Sequence, residues 1–206
     1  EYWTKQMRDN VEAARNAGVN LGFFGANNAY WQMRFEPSST NQPNRTIVAY
    51  RGASATNDPV YQINPAESTL LFRNPEINRP EASLMGMQYI YNTVLGDMVV
   101  ANCNNWLCSG TGLLTGDILP GLLGYEVDAL APSSPSNTLT VMSSPFVCKN
   151  TFPGCADSPT LYSHMGYYTA PSGATVFSSG SMNWNFGLDS FGPSGRFANG
   201  LAQQIS

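Results

Sequence analysis

The stretch from Thr4 to Phe24, TKQMRDNVEAARNAGVNLGFF, decides the expected fold. Its first part carries apolar residues at spacings of three and four, at Met7, Val11 and Ala14. This period predicts an amphipathic helix from Thr4 to Ala17, because such residues share one helical face. Thr4 is the expected N-cap, and a glycine follows directly after the predicted end.

The second part, Val19 to Phe24, is an almost continuous apolar run that ends in Gly25-Ala26-Asn27-Asn28. A short apolar run bounded by a turn is typical of a strand that is buried on both faces. We therefore expect a central parallel strand here, with the preceding helix packed against the sheet. The next segment, 29–35, is compatible with either a helix or an extended strand.

Further apolar islands predict short strands between loops rich in Pro, Asn and Ser. These islands are Thr46–Arg51, Thr69–Arg73, Leu84–Ile90, Val127–Leu130, Thr138–Met142 and Thr175–Phe177, and Phe197–Ile205 is expected to form a terminal helix. Helical segments interleaved with buried strands favour an α/β fold, with α+β as the open alternative. The length of 206 residues predicts one domain, residues 1–206.

Composition excludes several partners. Only 12% of the residues are charged and the net charge is −4, so the chain offers no basic footprint for nucleic acid. No apolar run is long enough for a membrane span. The chain begins without Met or a signal peptide, which indicates a fragment of a longer multidomain protein.

Four cysteines form two close pairs, Cys103 with Cys108 and Cys148 with Cys155. Four cysteines allow three disulfide connectivities, of which the local pairing asks for no long-range geometry. A four-thiolate zinc site fits these spacings poorly. Paired cysteines, low charge and the sequon at Asn44, a possible glycosylation acceptor, favour a secreted or periplasmic protein.

Few residues offer catalytic chemistry. The strand-turn after Phe24 lacks a nucleophile, and the single histidine, His164, has no spacing that pairs it with a serine. Gly110 to Asp117 is best interpreted as a glycine turn braced by its aspartate. Scarce carboxylates in apolar settings are more informative, namely Glu1 and above all Glu126, whose surroundings favour a raised pKa or a charged partner. The alternative is that Glu126 faces solvent by strand alternation.

Several blocks of the chain together resemble the C-terminal domain of the N,N-dimethylformamidase large (beta) subunit. In order along the chain these are Glu1-Tyr2-Trp3-Thr4, Met7-Arg8-Asp9, 17–21, 24–27, Tyr30-Trp31, Arg79-Pro80-Glu81, 110–113, Gly116-Asp117, 120–122, 124–128, 173–177 and 184–189. The resemblance covers nearly the whole chain. It implies a flavodoxin-like three-layer sandwich, similar to class I glutamine amidotransferases, with long loop insertions.

The same resemblance implies an amide hydrolase that uses a mononuclear iron held by two tyrosines and one glutamate. Glu1 matches the ligand glutamate, and Glu126 lies near the family's second catalytic glutamate. The histidine that precedes the ligand glutamate, and both tyrosine ligands, would belong to upstream sequence. We therefore expect upstream domains of the same polypeptide as partners, a small amide as substrate, and no iron or activity in this fragment alone.

The alternative function is a non-catalytic module of a secreted multidomain protein. Such a module would bind glycans or neighbouring domains through exposed aromatic side chains, for which Trp31, Trp106 and Trp184 are the candidates. Tryptophans are more often buried in a core, which is the competing interpretation of these three residues.

Overall fold

The computed structural model describes residues 1–149, 155, 157–189 and 203. The described strands and α-helices are, in chain order, β1 (Tyr2–Thr4), α1 (Lys5–Asn16), β2 (Leu21–Phe23), β3 (Trp31–Glu36), β4 (Thr46–Val48), α2 (Ala82–Met85), β5 (Gln88–Val99), β6 (Ile118–Ala129), β7 (Leu139–Val147), β8 (Thr160–Thr169) and β9 (Thr175–Ser178). Short 3₁₀ helices cover Gly52–Asn57, Pro65–Glu67, Trp106–Cys108 and Met182–Gly187.

The helix predicted from Thr4 to Ala17 is confirmed as α1. The Thr4 hydroxyl caps it by accepting the N–H of Met7 at 3.1 Å. Its inward face differs from the expected one, because Met7 is 44% exposed while Arg8 is fully buried. The Arg8 guanidinium pairs with Glu12 on the same helix and donates to backbone carbonyls of a loop 71 and 72 residues away. A buried arginine whose three guanidinium nitrogens all donate hydrogen bonds therefore anchors α1.

A first sheet has the strand order β1–β3–β4. β1 pairs with β3 in parallel, Tyr2 opposite Trp31, and β3 pairs with β4 in antiparallel fashion. The segment 29–35, which the sequence left open, is thus extended from Trp31 onward. The strand expected at Thr46–Arg51 is present over Thr46–Val48.

A second sheet has the order β2–β9–β8–β7. β2 is parallel to β9, as expected for its apolar run, but the expectation that it is central is wrong. It covers three residues, is only partly buried and lies at the end of the sheet, where one of its edges pairs with β9 from a segment more than 150 residues further along the chain. The strand predicted at Thr175–Phe177 is confirmed as β9.

A third sheet consists of the long antiparallel pair β5 and β6. The predicted strands Val127–Leu130 and Thr138–Met142 overlap β6 and β7, each with one residue outside the strand. The predicted strand Leu84–Ile90 is divided between α2 and β5. Thr69–Arg73 contributes an isolated bridge from Leu71 to Trp31. The largest apolar core lies between the second and third sheets and includes Trp184, Leu123 and Met165.

The architecture is therefore mixed α/β, with three sheets, mostly strand and few helices among the described residues. The terminal helix predicted at Phe197–Ile205 lies outside the described residues, apart from Gln203. The glycine turn is present as expected, and the Asp117 carboxylate braces it by accepting the N–H of Leu114 at 2.8 Å.

All four cysteines form local disulfides, Cys103 with Cys108 and Cys148 with Cys155. The pairing leaves no thiolate for zinc, so that alternative is excluded. Two disulfides are consistent with an oxidising compartment. No α-helix in the described part of the chain has the length and apolar character of a membrane span.

The N-cap of α1 gives a direct test of the local account. Replacement Thr4→Ala removes the acceptor for the Met7 N–H and should lower the free energy of unfolding by about 1 kcal/mol. Thr4→Ser keeps the hydroxyl and should stay close to wild type. Urea denaturation measures both variants, and an unchanged midpoint for Thr4→Ala would contradict the assignment.

Candidate functional site

The loop between β2 and β3 is buried and strained. Asn27 and Ala29 both have left-handed backbones, with φ of 56° and 48°, and both are buried. Asparagine tolerates this region better than alanine does. Buried residues in such conformations persist only where surrounding contacts fix them, and they concentrate at functional sites.

Asn27 is held by two carboxyl groups of β6. Its backbone N–H donates to Asp128 Oδ1 at 2.9 Å, and its side-chain Nδ2 donates to Glu126 Oε1 at 3.1 Å. Glu126 and Asp128 are two residues apart on one strand and therefore point to the same face. The pair of contacts joins the loop after β2 to the third sheet.

Local irregularities in β5 and β6 aim Glu126 at this loop. The pairing register of β5 with β6 shifts between the pairs Tyr91/Val127 and Val94/Tyr125. Two residues of β5 therefore lie opposite Glu126, which forms a β-bulge. Gly124 is required nearby, since its φ is +136° and a Cβ there would lie 2.1 Å from the Val94 carbonyl oxygen. Bulges of this kind redirect side chains and are common beside active sites.

The amide oxygen of Asn27 is buried and has no hydrogen-bond partner among the described residues. Asn27 itself is 3% exposed. An unsatisfied buried acceptor is unfavourable by about 1–3 kcal/mol, so a donor that reached this oxygen would remove that cost. The Asn27 side chain therefore donates one hydrogen bond to Glu126, while its oxygen accepts none from the described residues.

Glu126 has a raised pKa. Burial is the main cause, the hydrogen bond from Asn27 acts against it, and the nearby Glu1 carboxylate raises the pKa further. The structure thus brings Glu1 and Glu126, the two carboxylates singled out from the sequence, into one electrostatic cluster. Glu1 is fixed there because its carbonyl accepts the N–H groups of Tyr30 and Trp31 at 2.9 and 3.0 Å.

Two phenols complete this face. The rings of Tyr30 and Tyr89 meet edge to face at 5.1 Å. Burial, followed by the charge of Glu126, raises the pKa of Tyr89 to about 12, and burial likewise raises the pKa of Tyr30. Both phenols therefore stay protonated near neutral pH, and each can donate a hydrogen bond.

Arg73 lies near the cluster, and its positive charge is already paired. Arg73 binds Glu81, which is fully buried, at 2.5 Å, and its guanidinium lies 5.0 Å from the centre of the Tyr30 ring. It also donates to the Tyr89 carbonyl at 3.0 Å. Arg73 thus packs on the Tyr30 ring and binds the backbone of Tyr89, while its charge is largely neutralised by Glu81.

Asp128 is the most perturbed acid of the cluster. Complete burial raises its pKa to about 7, and the hydrogen bond from the Asn27 N–H only partly offsets this effect. Sequence reasoning missed Asp128, although the spacing Glu126-x-Asp128 places both on one face. It also missed Asn27, Tyr30, Tyr89, Arg73 and Glu81 as members of the site.

The other sequence candidates lie apart from this chemistry. The His164 Nδ1 accepts the N–H of Leu130 at 3.2 Å, and burial lowers the pKa of its imidazole. Trp184 is fully buried, Trp31 is half-buried and Trp106 is 58% exposed. Asn44 is exposed in the turn before β4.

The described residues contain no group of three His, Cys, Asp or Glu side chains that could hold a metal ion. Glu1 offers one hard oxygen donor of the kind that suits a ferric ion. Glu1 therefore fits one ligand position of such a site.

The fold is mixed α/β and rich in strands, and Glu126 and Asp128 of β6 lie in a cluster of ionisable side chains. The family model described as N,N-dimethylformamidase beta subunit-like, C-terminal matches residues 1–199. The chain therefore belongs to this family, which confirms the resemblance drawn from its sequence blocks. No curated protein matches the chain.

The buried Asp128 predicts a specific pH dependence of stability. Its pKa is about 7 in the folded state and about 4 in the unfolded state, so the folded protein binds more protons between these values. The free energy of unfolding should fall by a few kcal/mol as pH rises from about 4 to 7. Stability should be lost, not gained, through this window.

Asp128→Asn removes the charge while keeping an oxygen acceptor for Asn27. Urea denaturation from pH 4 to 8 should show that the variant lacks this component of the decline and exceeds wild type in stability at pH 8. Parallel stability curves for the two proteins would show that Asp128 does not titrate in this range.

Proposed function

We propose that this chain supplies the acid–base part of an iron-dependent amidohydrolase that acts on a small amide. Glu126 is the proposed catalytic carboxyl, and Glu1 is one ligand of a mononuclear iron whose other ligands lie in upstream sequence. The observation that carries the proposal is the contact between Glu126 and the buried amide of Asn27, in a chain of the dimethylformamidase family. The fragment alone is proposed to be inactive.

The residues of the cluster fit the proton transfers of amide hydrolysis. The Glu126 carboxylate takes a proton from water as the water oxygen adds to the amide carbon. The protonated Glu126 then returns that proton to the nitrogen as the C–N bond breaks, which yields a carboxylic acid and an amine. A raised pKa favours a carboxyl group that must both accept and return a proton near neutral pH.

The neighbouring groups suit binding and orientation. Asn27 binds Glu126 Oε1, and its own oxygen has no hydrogen-bond partner among the described residues. The protonated phenols of Tyr30 and Tyr89 are suited to donate to a carbonyl oxygen. Iron, when bound, would polarise the amide carbonyl.

The finer fold and location are also proposals. We propose a single domain with a flavodoxin-like, glutamine amidotransferase-like core, supported by the parallel pairs β1–β3 and β2–β9 with α1 between β1 and β2. We propose export to a secreted or periplasmic location, supported by the two disulfides. The exposed sequon at Asn44 would then be open to glycosylation.

The catalytic proposal is tested in the full-length protein with a small N-alkyl amide. Glu126→Gln should lower kcat/KM by about 10²–10⁴-fold with iron content unchanged, because it removes proton transfer. It should also remove the acidic limb of the pH profile, where activity falls as Glu126 becomes protonated. Glu1→Gln should lose both iron and activity.

Glu67→Gln is the matched control, since Glu67 is exposed and lies outside the cluster. It should keep wild-type activity and iron. Full activity of Glu126→Gln, or robust amide hydrolysis by the 206-residue chain alone, would contradict the proposal.

A second candidate function is favoured by the environment of Trp106. Its ring is 58% exposed beside Tyr167, on a loop held by the Cys103–Cys108 disulfide and by the Asn105 side chain. Residues 98–116 carry no charged side chain and include three asparagines. A rigid exposed ring among amides suits a neutral saccharide, so we propose glycan binding as the alternative role.

Affinity electrophoresis in gels containing neutral polysaccharides tests this role. At least one polysaccharide should retard the protein, and Trp106→Ala should abolish the retardation. Leu114→Ala, which removes another exposed apolar side chain of the same loop, should retain it. Unretarded migration of wild type in every neutral polysaccharide would exclude the glycan role.

A further inference from the structure

The Asp128 side chain is buried, and the described residues donate one backbone hydrogen bond to its carboxyl. Its side chain accepts the Asn27 N–H, and its own backbone is fixed separately by Gly180 and the Ser163 hydroxyl. Within the described residues no Lys or Arg forms an ion pair with it. A buried carboxyl without such a pair destabilises the fold when it is charged.

The contact acts on Glu126 through Asn27. A left-handed residue has few alternative backbone conformations, so anchoring its N–H also fixes the direction of its side chain. That side chain reaches Glu126 Oε1 at 3.1 Å. Asp128 and Glu126 therefore lie at the two ends of one short hydrogen-bonded path that runs through Asn27.

We propose that Asp128 is a positioning residue, which holds the Asn27 turn so that the Asn27 amide binds and orients Glu126. The inference deepens the proposed function, because its catalytic meaning rests on the role assigned to Glu126. The structural part, that Asp128 controls the Asn27–Glu126 contact, can be tested without catalysis.

The groups around Asp128 make its charge state responsive to pH. Tyr89 lies opposite it on β5, and Glu126 lies on its own strand. Glu81 raises the pKa of Asp128 and Arg73 lowers it, both weaker effects than burial. On β8 and after β9 its neighbours are the uncharged Ser163 and Gly180. Loss of the Asp128 proton near neutral pH would strengthen its hold on the Asn27 N–H.

The experiment measures the pKa of the Glu126 carboxyl by ¹³C NMR titration in the 206-residue chain. Because the bond from Asn27 lowers this pKa, Asp128→Ala should raise it by about one pH unit. Asn27→Ala should raise it by the same amount, and the double variant should add nothing further, since both changes break one path.

Two variants sharpen the result. Asp128→Asn keeps an acceptor for the Asn27 N–H and should leave the Glu126 pKa within a few tenths of a unit of wild type. Asp117→Ala is the matched control, because Asp117 also accepts one backbone N–H in a turn but lies outside the cluster. It should leave the Glu126 pKa unchanged.

An unchanged Glu126 pKa in Asp128→Ala, or additive shifts in the double variant, would overturn the inference. In the full-length enzyme, Asp128→Ala should move the acidic limb of kcat/KM upward with iron content unchanged. If the wild-type full-length protein has no amidase activity, the proposed function is contradicted. The NMR titration would still decide the structural inference.

Discussion

The site depends on the two hydrogen bonds that Asn27 donates to carboxyl groups of β6. The backbone and side chain of Asn27 bind two carboxyl groups that lie 101 and 99 residues further along the chain. The left-handed backbone that these contacts fix also ends the run of β2 and redirects the chain to β3, beside Glu1. Asn27 thereby links the loop between β2 and β3, which joins the second sheet to the first, to β6 of the third sheet.

Burial is the largest influence on the pKa values of the carboxyl groups in the cluster. Arg73 lies nearby but is paired with Glu81, and in the part of the chain that the structure describes no guanidinium forms an ion pair with Glu126 or Asp128. Burial therefore dominates both carboxyls and raises their pKa values, and the same effect keeps the phenols of Tyr30 and Tyr89 protonated. A carboxyl with a raised pKa beside neutral donors is suited to proton transfer.

The sequence predicted those features of the fold and the site that depend on residues close together in the chain. The N-cap of α1 and the apolar run of β2 are readable from neighbouring residues, and Glu126 stands out as a carboxylate in an apolar segment. The edge position of β2 was not predictable, because it depends on pairing with β9. Asn27 and Asp128 were missed as a pair because their contact depends on how three sheets pack, which no spacing encodes.

A crystal structure of the full-length protein, grown with iron and a slowly hydrolysed amide, tests the central claim most directly. The account predicts iron bonded to the Glu1 carboxylate and the amide carbon facing Glu126. It also predicts that the Asn27 amide keeps its bond to Glu126 Oε1. Iron bound away from Glu1, or an amide bound where Glu126 cannot reach it through one water, would contradict the account.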